Sequence, residues 1–282
     1  CRVESDIQSY CKGKCMPTPL YIVDAFTSSP FSGNAAGVCL LREAAEGSWM
    51  QDVAQEMNLS ETAFLYPKTK KSPNKYNLRW FTPTMEVDLC GHATLASAHV
   101  LWETGAWSGV DEVSFQTRSG ELRAVRNMGA IELNFPALEA KLAPSPPDFS
   151  SLLSVNILWV GFTGSDFLLE LSSAAAVKDL KPNFSELAKV ETRGIIVTAL
   201  SDDGSRADFV SRFFAPRFGI DEDPVTGSAH CSLGPYWCSK LKKNTLVGRQ
   251  LSRRGGEVQV VVDRDRIRLS GSAVTVLRGE LF

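Results

Sequence analysis

The amino-acid sequence predicts an α+β protein of two pseudo-symmetric halves, each a mostly antiparallel curled sheet around one central helix. Three observations carry that expectation. First, a motif occurs twice, as Arg79-Trp80-Phe81-Thr82-Pro83 leading to Gly91-His92-Ala93 and as Arg212-Phe213-Phe214-Ala215-Pro216 leading to Gly227-Ser228-Ala229. The offset is 133 residues at the arginines (79 and 212) and 136 at the glycines (91 and 227), so the copies differ by a short insertion in an acidic spacer. Second, residues 92–103 carry almost no charge and are rich in Ala, Leu and Val, as a helix buried on all sides requires. Third, much of the remaining chain is short apolar or alternating runs separated by Gly-containing turns, the pattern of hairpin-linked strands.

In chain order, residues 20–26 (LYIVDAF) and 37–41 (GVCLL) read as strands around a turn-rich loop containing Gly33-Asn34. Residues 48–58 have helical spacing, with Met50, Val53, Ala54 and Met57 on one face. They give way at Leu59-Ser60-Glu61 to a strand, TAFLYP, and residues 76–82 form the first motif strand. Gly105 is placed to end the apolar helix. Strands VSFQT, ELRAV and IELNF follow, with turns at 118–120 and 127–129. The Pro-rich stretch 143–148 (APSPPD) is the expected linker.

The second half repeats the plan. Strands ILWVGF and DFLLEL precede helical pieces near 174–180 and 184–190, then strand GIIVTAL and the second motif strand at 209–215. Pro235 is expected to kink or shorten the helix that starts near Ser228. Strands EVQVVV, RIRLSG and AVTVLRGEL end the chain. The expected units are an upstream or added extension at 1–15, an N-terminal domain at 16–137 and a C-terminal domain at 138–282. The last strand is free to cross back to the first half.

Composition narrows the function classes. The 282 residues are 44% hydrophobic and 22% charged, with a formal net charge of −2. There is no basic stripe, so nucleic acid is not an expected partner. No apolar run approaches the about 20 residues of a membrane helix. The seven cysteines are scattered, as reduced thiols of a cytoplasmic protein would be. Cys1, Cys11 and Cys15 have no neighbouring histidines, which argues against zinc.

Each motif glycine opens a helix, and a helix start offers free N–H groups and partial positive charge to an anion. If the halves face each other, Gly91 and Gly227 converge on a carboxylate or phosphate, with His92 and Ser228 as further donors. The alternative is that these glycines serve only tight turns. Glu61 sits at an apolar helix–strand junction where a carboxylate is poorly solvated, although a solvated surface residue is the ordinary alternative. His99, two turns from His92, reads as a core histidine. No phosphate-binding or dinucleotide motif and no dense His/Cys cluster is present, so neither a metal nor a cofactor is expected.

The segments DAFTSSPFSGNAAGVCLL, MNLSETAF, LRWFTPTMEVDLCGHATLASAHVL, SGELRA and FFAPRFGIDEDPVTGSAH together resemble the phenazine-biosynthesis PhzF family, most nearly its eukaryotic PhzF-domain or MAWD-binding-protein-like members. The resemblance runs from about Met16 to the C-terminus. It implies the diaminopimelate-epimerase fold, an interdomain active site and a homodimer. It also implies a cofactor-independent isomerase that moves a proton on a small carboxylate-bearing substrate. By that resemblance Glu61 is the acid/base, His92 and Asp223 complete the catalytic set, and Ser228, Asn34 and the backbone at Gly91 and Gly227 hold substrate. The two-thiol epimerases place a cysteine before each helix glycine. Here Cys90 has Thr226 as its counterpart, which disfavours a two-thiol racemase and leaves Cys90 as a spectator or a thiolate-prone thiol. A metabolite-binding or scaffold protein without turnover is the competing class.

Overall fold

Segments buried at alternate positions, such as Lys75–Phe81, form one hydrogen-bonded network, of 18 strands among the described residues. The structure is a computed structural model, and it describes residues 17–69, 73–107, 111–127, 129–143, 147–202 and 206–282. The expected extension at 1–15 with its three cysteines, Met128 of the 127–129 turn and positions 144–146 of the expected linker lie outside the described residues.

The first half contains β1 (Thr18–Ala25), β2 (Asn34–Leu40), α1 (Gly47–Met57), β3 (Glu61–Pro67), β4 (Lys75–Phe81), β5 (Glu86–Val87) and α2 (Gly91–Glu103). It continues with β6 (Glu112–Thr117), β7 (Gly120–Asn127) and β8 (Ala130–Pro136), after which β9 (Lys141–Leu142) opens the second half. The second half contains α3 (Phe149–Leu153), β10 (Ile157–Phe162), β11 (Asp166–Leu171), α4 (Ala174–Asp179), α5 (Phe184–Leu187), β12 (Gly194–Leu200) and β13 (Phe209–Ala215). It ends with β14 (Ile220–Asp223), α6 (Gly227–Leu241), β15 (Thr245–Gln250), β16 (Gly256–Asp263), β17 (Arg266–Gly271) and β18 (Ala273–Leu281).

Pairing is mostly antiparallel. The parallel pairs come in matched sets, β2–β3 with β11–β12 and β4–β6 with β13–β15. Register repeats as well. Thr62 faces Phe81 in the first half and Ile195 faces Phe214 in the second, and both members of the pair are displaced by 133 positions. Tyr76 with Phe115 and Phe209 with Gly248 keep the same displacement. The halves are stitched twice, β8 to β17 (Leu133 opposite Leu269) and β1 to β18 (Thr18 opposite Leu281).

The repeated arginines explain the repeated motif. Arg79 grips Glu86 through Nε and Nη2 at 2.7 and 2.9 Å, and Arg212 grips Glu222 the same way at 2.6 and 2.9 Å. Each guanidinium also lies over the aromatic ring two residues on, Phe81 at 5.1 Å and Phe214 at 4.9 Å. Such bidentate pairs are geometrically selective, and here they fold the acidic spacer back along its strand and aim the chain at the helix start.

Helix α2 buries most of its length, from His92 through Ala98 and again at Val100 and Leu101. Helix α6 is not shortened at Pro235 as expected from sequence; it runs on to Leu241. The proline leaves the carbonyl of Cys231 without its helical donor, and the N–H of Leu138 takes that place at 3.0 Å. Both helices share one core, which joins Leu78, Trp80, Leu95 and Leu101 to Phe209, Leu233, Trp237 and Leu269. Smaller outer cores lie under α1 (Met50, Val53, Phe64, Phe81) and under α3–α5 (Phe149, Val177, Leu187, Phe214). Leu95 is fully buried in the middle of α2. Leu95→Ala is expected to lower the unfolding free energy by about 2–5 kcal/mol, transfer and cavity costs together. Urea denaturation followed by tryptophan fluorescence measures it, and a loss under about 1 kcal/mol would show that the shared core is not close-packed there.

Candidate active site

The starts of α2 and α6 meet. A Cβ placed on Gly91 would lie 3.6 Å from the Cα of Gly227, and one on Gly227 would lie 3.6 Å from the Cα of Gly91. Side chains at either position would line the junction where both sets of free N–H groups begin. Around that junction the structure gathers residues distant in sequence. Glu61 arrives as the first residue of β3, Asn34 as the first of β2, Asp223 as the last of β14, and His92 in the first turn of α2.

Asn34 ties them together from full burial. Its amide nitrogen lies 2.8 Å from Asp223 Oδ1, 2.9 Å from the Val225 carbonyl and 3.3 Å from His92 Nδ1. The amide has two hydrogens, which the two nearer oxygens take, and the imidazole turns its other nitrogen, Nε2, toward Glu61. That nitrogen is 3.3 Å from Glu61 Oε2, yet neither atom makes a hydrogen bond among the described residues. Two polar atoms unpaired at such depth are a costly arrangement in a folded chain, and they face the same small space.

Burial governs the electrostatics. Desolvation, reinforced by the charge of Asp223, pushes the Glu61 pKa up to about 8, against a hydrogen bond from Cys90 that pulls it down. Desolvation also lifts Asp223 to about 6, opposed by hydrogen bonds from Thr226 and Asn34 and by the charge of Arg193. His92 is held down to about 3 by burial, so its imidazole is neutral. The 3.3 Å approach of His92 to Glu61 is therefore not an ion pair near neutral pH.

Of the two readings of Cys90, spectator or thiolate-prone thiol, the surroundings disfavour the thiolate. Burial first, then the charge of Glu61, raises its pKa well above the ordinary thiol value, and these outweigh the helix start. Its sulfur lies 3.5 Å from His92 Nδ1. Thr226, its counterpart, gives its hydroxyl proton to Asp223 Oδ2 at 2.5 Å. Ser228 stands apart from this cluster, and its Oγ accepts from Arg193 Nη1 at 3.2 Å and Nη2 at 3.3 Å. His99 is half-buried rather than core, with Nε2 3.1 Å from Thr275 Oγ1 of β18.

Glu61, Cys90 and His92 offer ligand atoms within 4.8 Å of one another. They fit a single metal centre poorly, because Cys90 approaches the imidazole at Nδ1 and Glu61 approaches it at Nε2, on opposite sides of the ring. Two acids that resist deprotonation also weaken such a site.

Sequence reasoning missed the residues that hold the cluster in place. Gln250 accepts from the Thr226 N–H at 2.9 Å and donates to the Asp223 carbonyl at 2.7 Å. Arg254 reaches from the second half to the Gly33 carbonyl at 2.8 Å, the Ser32 carbonyl at 2.9 Å and buried Asp24 at 2.6 Å, and so fixes the loop that delivers Asn34. Gly33 in that loop has φ +65, and a Cβ there would meet the Ala25 carbonyl at 2.2 Å. The partners of Gln250 and Arg254 lie 24 to 230 residues away along the chain, and no local pattern announces them.

The architecture is matched by known proteins. The family profile PhzC-PhzF, described as phenazine biosynthesis-like protein, covers residues 23–279. The chain belongs to the phenazine-biosynthesis-like family. An uncharacterised isomerase of Halalkalibacterium halodurans is 51% identical over 268 residues, 95% of this chain and 99% of that protein. The human phenazine biosynthesis-like domain-containing protein is 40% identical over 291 residues, covering 94% and 99%. A PhzF-family crystal structure from Enterococcus faecalis superposes with a TM-score of 0.89 at 39% identity, covering 95% of this chain and all of that one. A probable proline racemase of Agrobacterium radiobacter, 11% identical with a TM-score of 0.61 and covering 94% and 93%, shares the fold alone. The fold of this family member is thus the PhzF and epimerase type, and relatives within the family are named isomerases. No helix among the described residues is long and apolar enough to cross a membrane.

Two measurements follow for the family member's cluster. Asn34→Ala removes a buried donor to a carboxylate and is expected to cost about 1–3 kcal/mol, with Asp223 ionising at higher pH in a carboxyl NMR titration. An unchanged Asp223 titration would show that Asn34 does not hold it. The second concerns pH. Glu61 holds its proton more tightly folded than unfolded, so its contribution to stability is full below the ordinary 4.5 and is lost as pH rises through about 8. His92 acts oppositely, contributing fully above 6.5 and losing that contribution as pH falls toward about 3. Glu61→Gln is therefore expected to gain stability relative to wild type steadily between pH 4.5 and about 8. Parallel stability curves in urea would contradict the raised proton affinity.

Proposed function

We propose that this family member is a cofactor-independent isomerase that moves a proton on a small carboxylate-bearing substrate bound between the starts of α2 and α6. Glu61 is the proton shuttle in this reading. The observation that carries it is the unpaired approach of Glu61 Oε2 to His92 Nε2 at 3.3 Å. A buried carboxyl group with a pKa near 8 faces a neutral imidazole there. Such a carboxyl can give and take a proton near neutral pH, which is what a shuttle between two carbons requires.

The other residues follow from charge development. Removing a proton next to a carboxylate leaves negative charge on the substrate, and donors already fixed in place stabilise it without reorganising. His92 Nε2–H is one such donor. Asp223, held by Asn34 and Thr226, orients the substrate. The backbone N–H groups at Gly91 and Gly227, with Ser228, receive the carboxylate. The fully buried mirror position of Glu61 is Gly194, where a Cβ would strike the Phe213 ring at 2.2 Å, so a second carboxylate base has no room there. A homodimer is part of the same proposal, and light scattering tests it.

A screen of small cyclic and amino-acid-like carboxylic acids for deuterium uptake from solvent identifies the substrate class. With an exchanging acid in hand, Glu61→Gln is expected to lower the exchange rate about 10²–10⁴-fold while affinity changes only a few-fold, and Cys90→Ala is expected to retain activity. In wild type, kcat/KM should rise with pH and level off above about 8, where Glu61 is ionised. Wild-type exchange by Glu61→Gln, with loss in Cys90→Ala, would move the base to the thiol. Tight binding without exchange would favour a metabolite-binding protein instead.

A further inference from the structure

The register of the two halves identifies a residue that neither motif contains. Thr62 corresponds to Ile195 by strand pairing, so Glu61 corresponds to Gly194 and Ser60 to Arg193. The parallel strand pairs agree, with Ala36 facing Glu61 in one half and Asp166 facing Gly194 in the other. His92 and Ser228 are the matching second residues of α2 and α6. Arg193 stands one position before the mirror of Glu61, and its hydrogen bonds to Ser228 occupy the second half's side of the junction as the Glu61–His92 approach occupies the first half's. One side of the pseudo-dyad presents a carboxyl and an imidazole, and the other presents a guanidinium and a hydroxyl.

Arg193 is held in a definite place. Its Nε donates to Asp166 Oδ1 at 2.9 Å and its Nη2 to Asp166 Oδ2, and Asp166 is completely buried. The guanidinium stacks over the Phe213 ring at 5.8 Å. The side chain nevertheless remains 41% exposed. Nη1 donates to Ser228, and with two hydrogens it retains one for a further acceptor. Because Ser228 Oγ accepts from Arg193, its own hydroxyl hydrogen is free to donate to a ligand. The charge of Arg193 acts on the cluster as well, since it opposes the burial that lifts Asp223. An anionic ligand brought beside Glu61 and Asp223 meets two acids and a neutral imidazole, and Arg193 is a fixed cation able to offset that repulsion.

We propose that Arg193, with Ser228, is the carboxylate anchor of this cleft, holding the anionic group of a small carboxylic acid beside α6 so that its exchanging C–H faces Glu61 beside α2. The inference rests on the proposed reading of the cleft as a proton-transfer site and adds the direction in which the substrate lies. It makes Arg193 a specificity residue: an uncharged amide of the same shape loses the anchor, whereas the acid keeps it.

Benzoate and benzamide, a carboxylate and its uncharged counterpart, test this by NMR titration of wild type, Arg193→Gln, Arg193→Lys and Glu61→Gln. Benzoate is expected to shift the Gly227 and Ser228 amides of wild type and to bind Arg193→Gln about ten- to a hundredfold more weakly, the range for a hydrogen bond to a charged group. Benzamide should bind wild type and Arg193→Gln alike, and Arg193→Lys should fall between the two for benzoate. Arg193→Lys keeps a charge opposite Asp166, so it reads the same loss should Arg193→Gln fold poorly. Equal benzoate affinity in wild type and both Arg193 variants, or benzoate shifts absent from Gly227 and Ser228, overturns the proposal. Glu61→Gln should keep the preference for benzoate. Proton exchange that survives in Glu61→Gln would sink the shuttle reading while leaving the benzoate result to stand for Arg193 on its own.

Discussion

Two helix starts meet at one point of this molecule with no side chain between them, and a Cβ added to either first residue would already be in contact with the facing Cα, at 3.6 Å. Gly91 and Gly227 supply that condition, and much of the molecule is arranged to bring them together. The bidentate pairs Arg79–Glu86 and Arg212–Glu222 turn each acidic spacer toward its helix. The β8–β17 and β1–β18 pairings lock the halves on either side. A core shared by both helices replaces two separate ones. The consequence is a point where two sets of unpaired N–H groups and two helix dipoles act on the same space. A single helix start would offer half of that field.

Placing acids at such a point has an electrostatic cost that the surroundings manage. Glu61 and Asp223 share a region poor in water, and burial raises both. Asp223 is restrained by Asn34, Thr226 and Arg193, whereas Glu61 has the Cys90 thiol against desolvation and the charge of Asp223. Two carboxyl groups with different pKa values suit different tasks, and the proposed reading gives Glu61 the proton and Asp223 the geometry. The neutral His92 fits that division, because a protonated imidazole beside Glu61 would fix the proton rather than let it move.

The duplication also shows how a symmetric scaffold acquires one-sided chemistry. Strand register is retained at a displacement of 133 positions, Thr62 to Ile195 and Phe81 to Phe214. The side chains at the junction have diverged, with Glu61 against Gly194, Ser60 against Arg193, Cys90 against Thr226 and His92 against Ser228. The Phe213 ring occupies the space a side chain at 194 would need. The junction thus carries a carboxyl and an imidazole on one side and a guanidinium and a hydroxyl on the other.

Much of this was determined by the sequence alone. The repeated arginine–aromatic–proline motif, the charge-free helix after Gly91 and the regular turns specify two like halves, because those patterns act over a few residues through backbone geometry and burial. The PhzF resemblance singled out Glu61, His92 and Asp223 by motif. The short strands β5, β9 and β14 carry too few residues for any period, and Gly248 interrupts β15 where the Phe209 ring needs the room. Pro235 is expected from sequence to kink or shorten its helix, and the donor that lets the helix run on, Leu138, lies about a hundred residues upstream. Only tertiary structure decided that Cys90 stays a buried thiol, that Asn34 spans the two halves, and that Arg193 faces Ser228. Each depends on the solvation and distance between groups remote in the chain, and those quantities exist only once the halves have closed on each other.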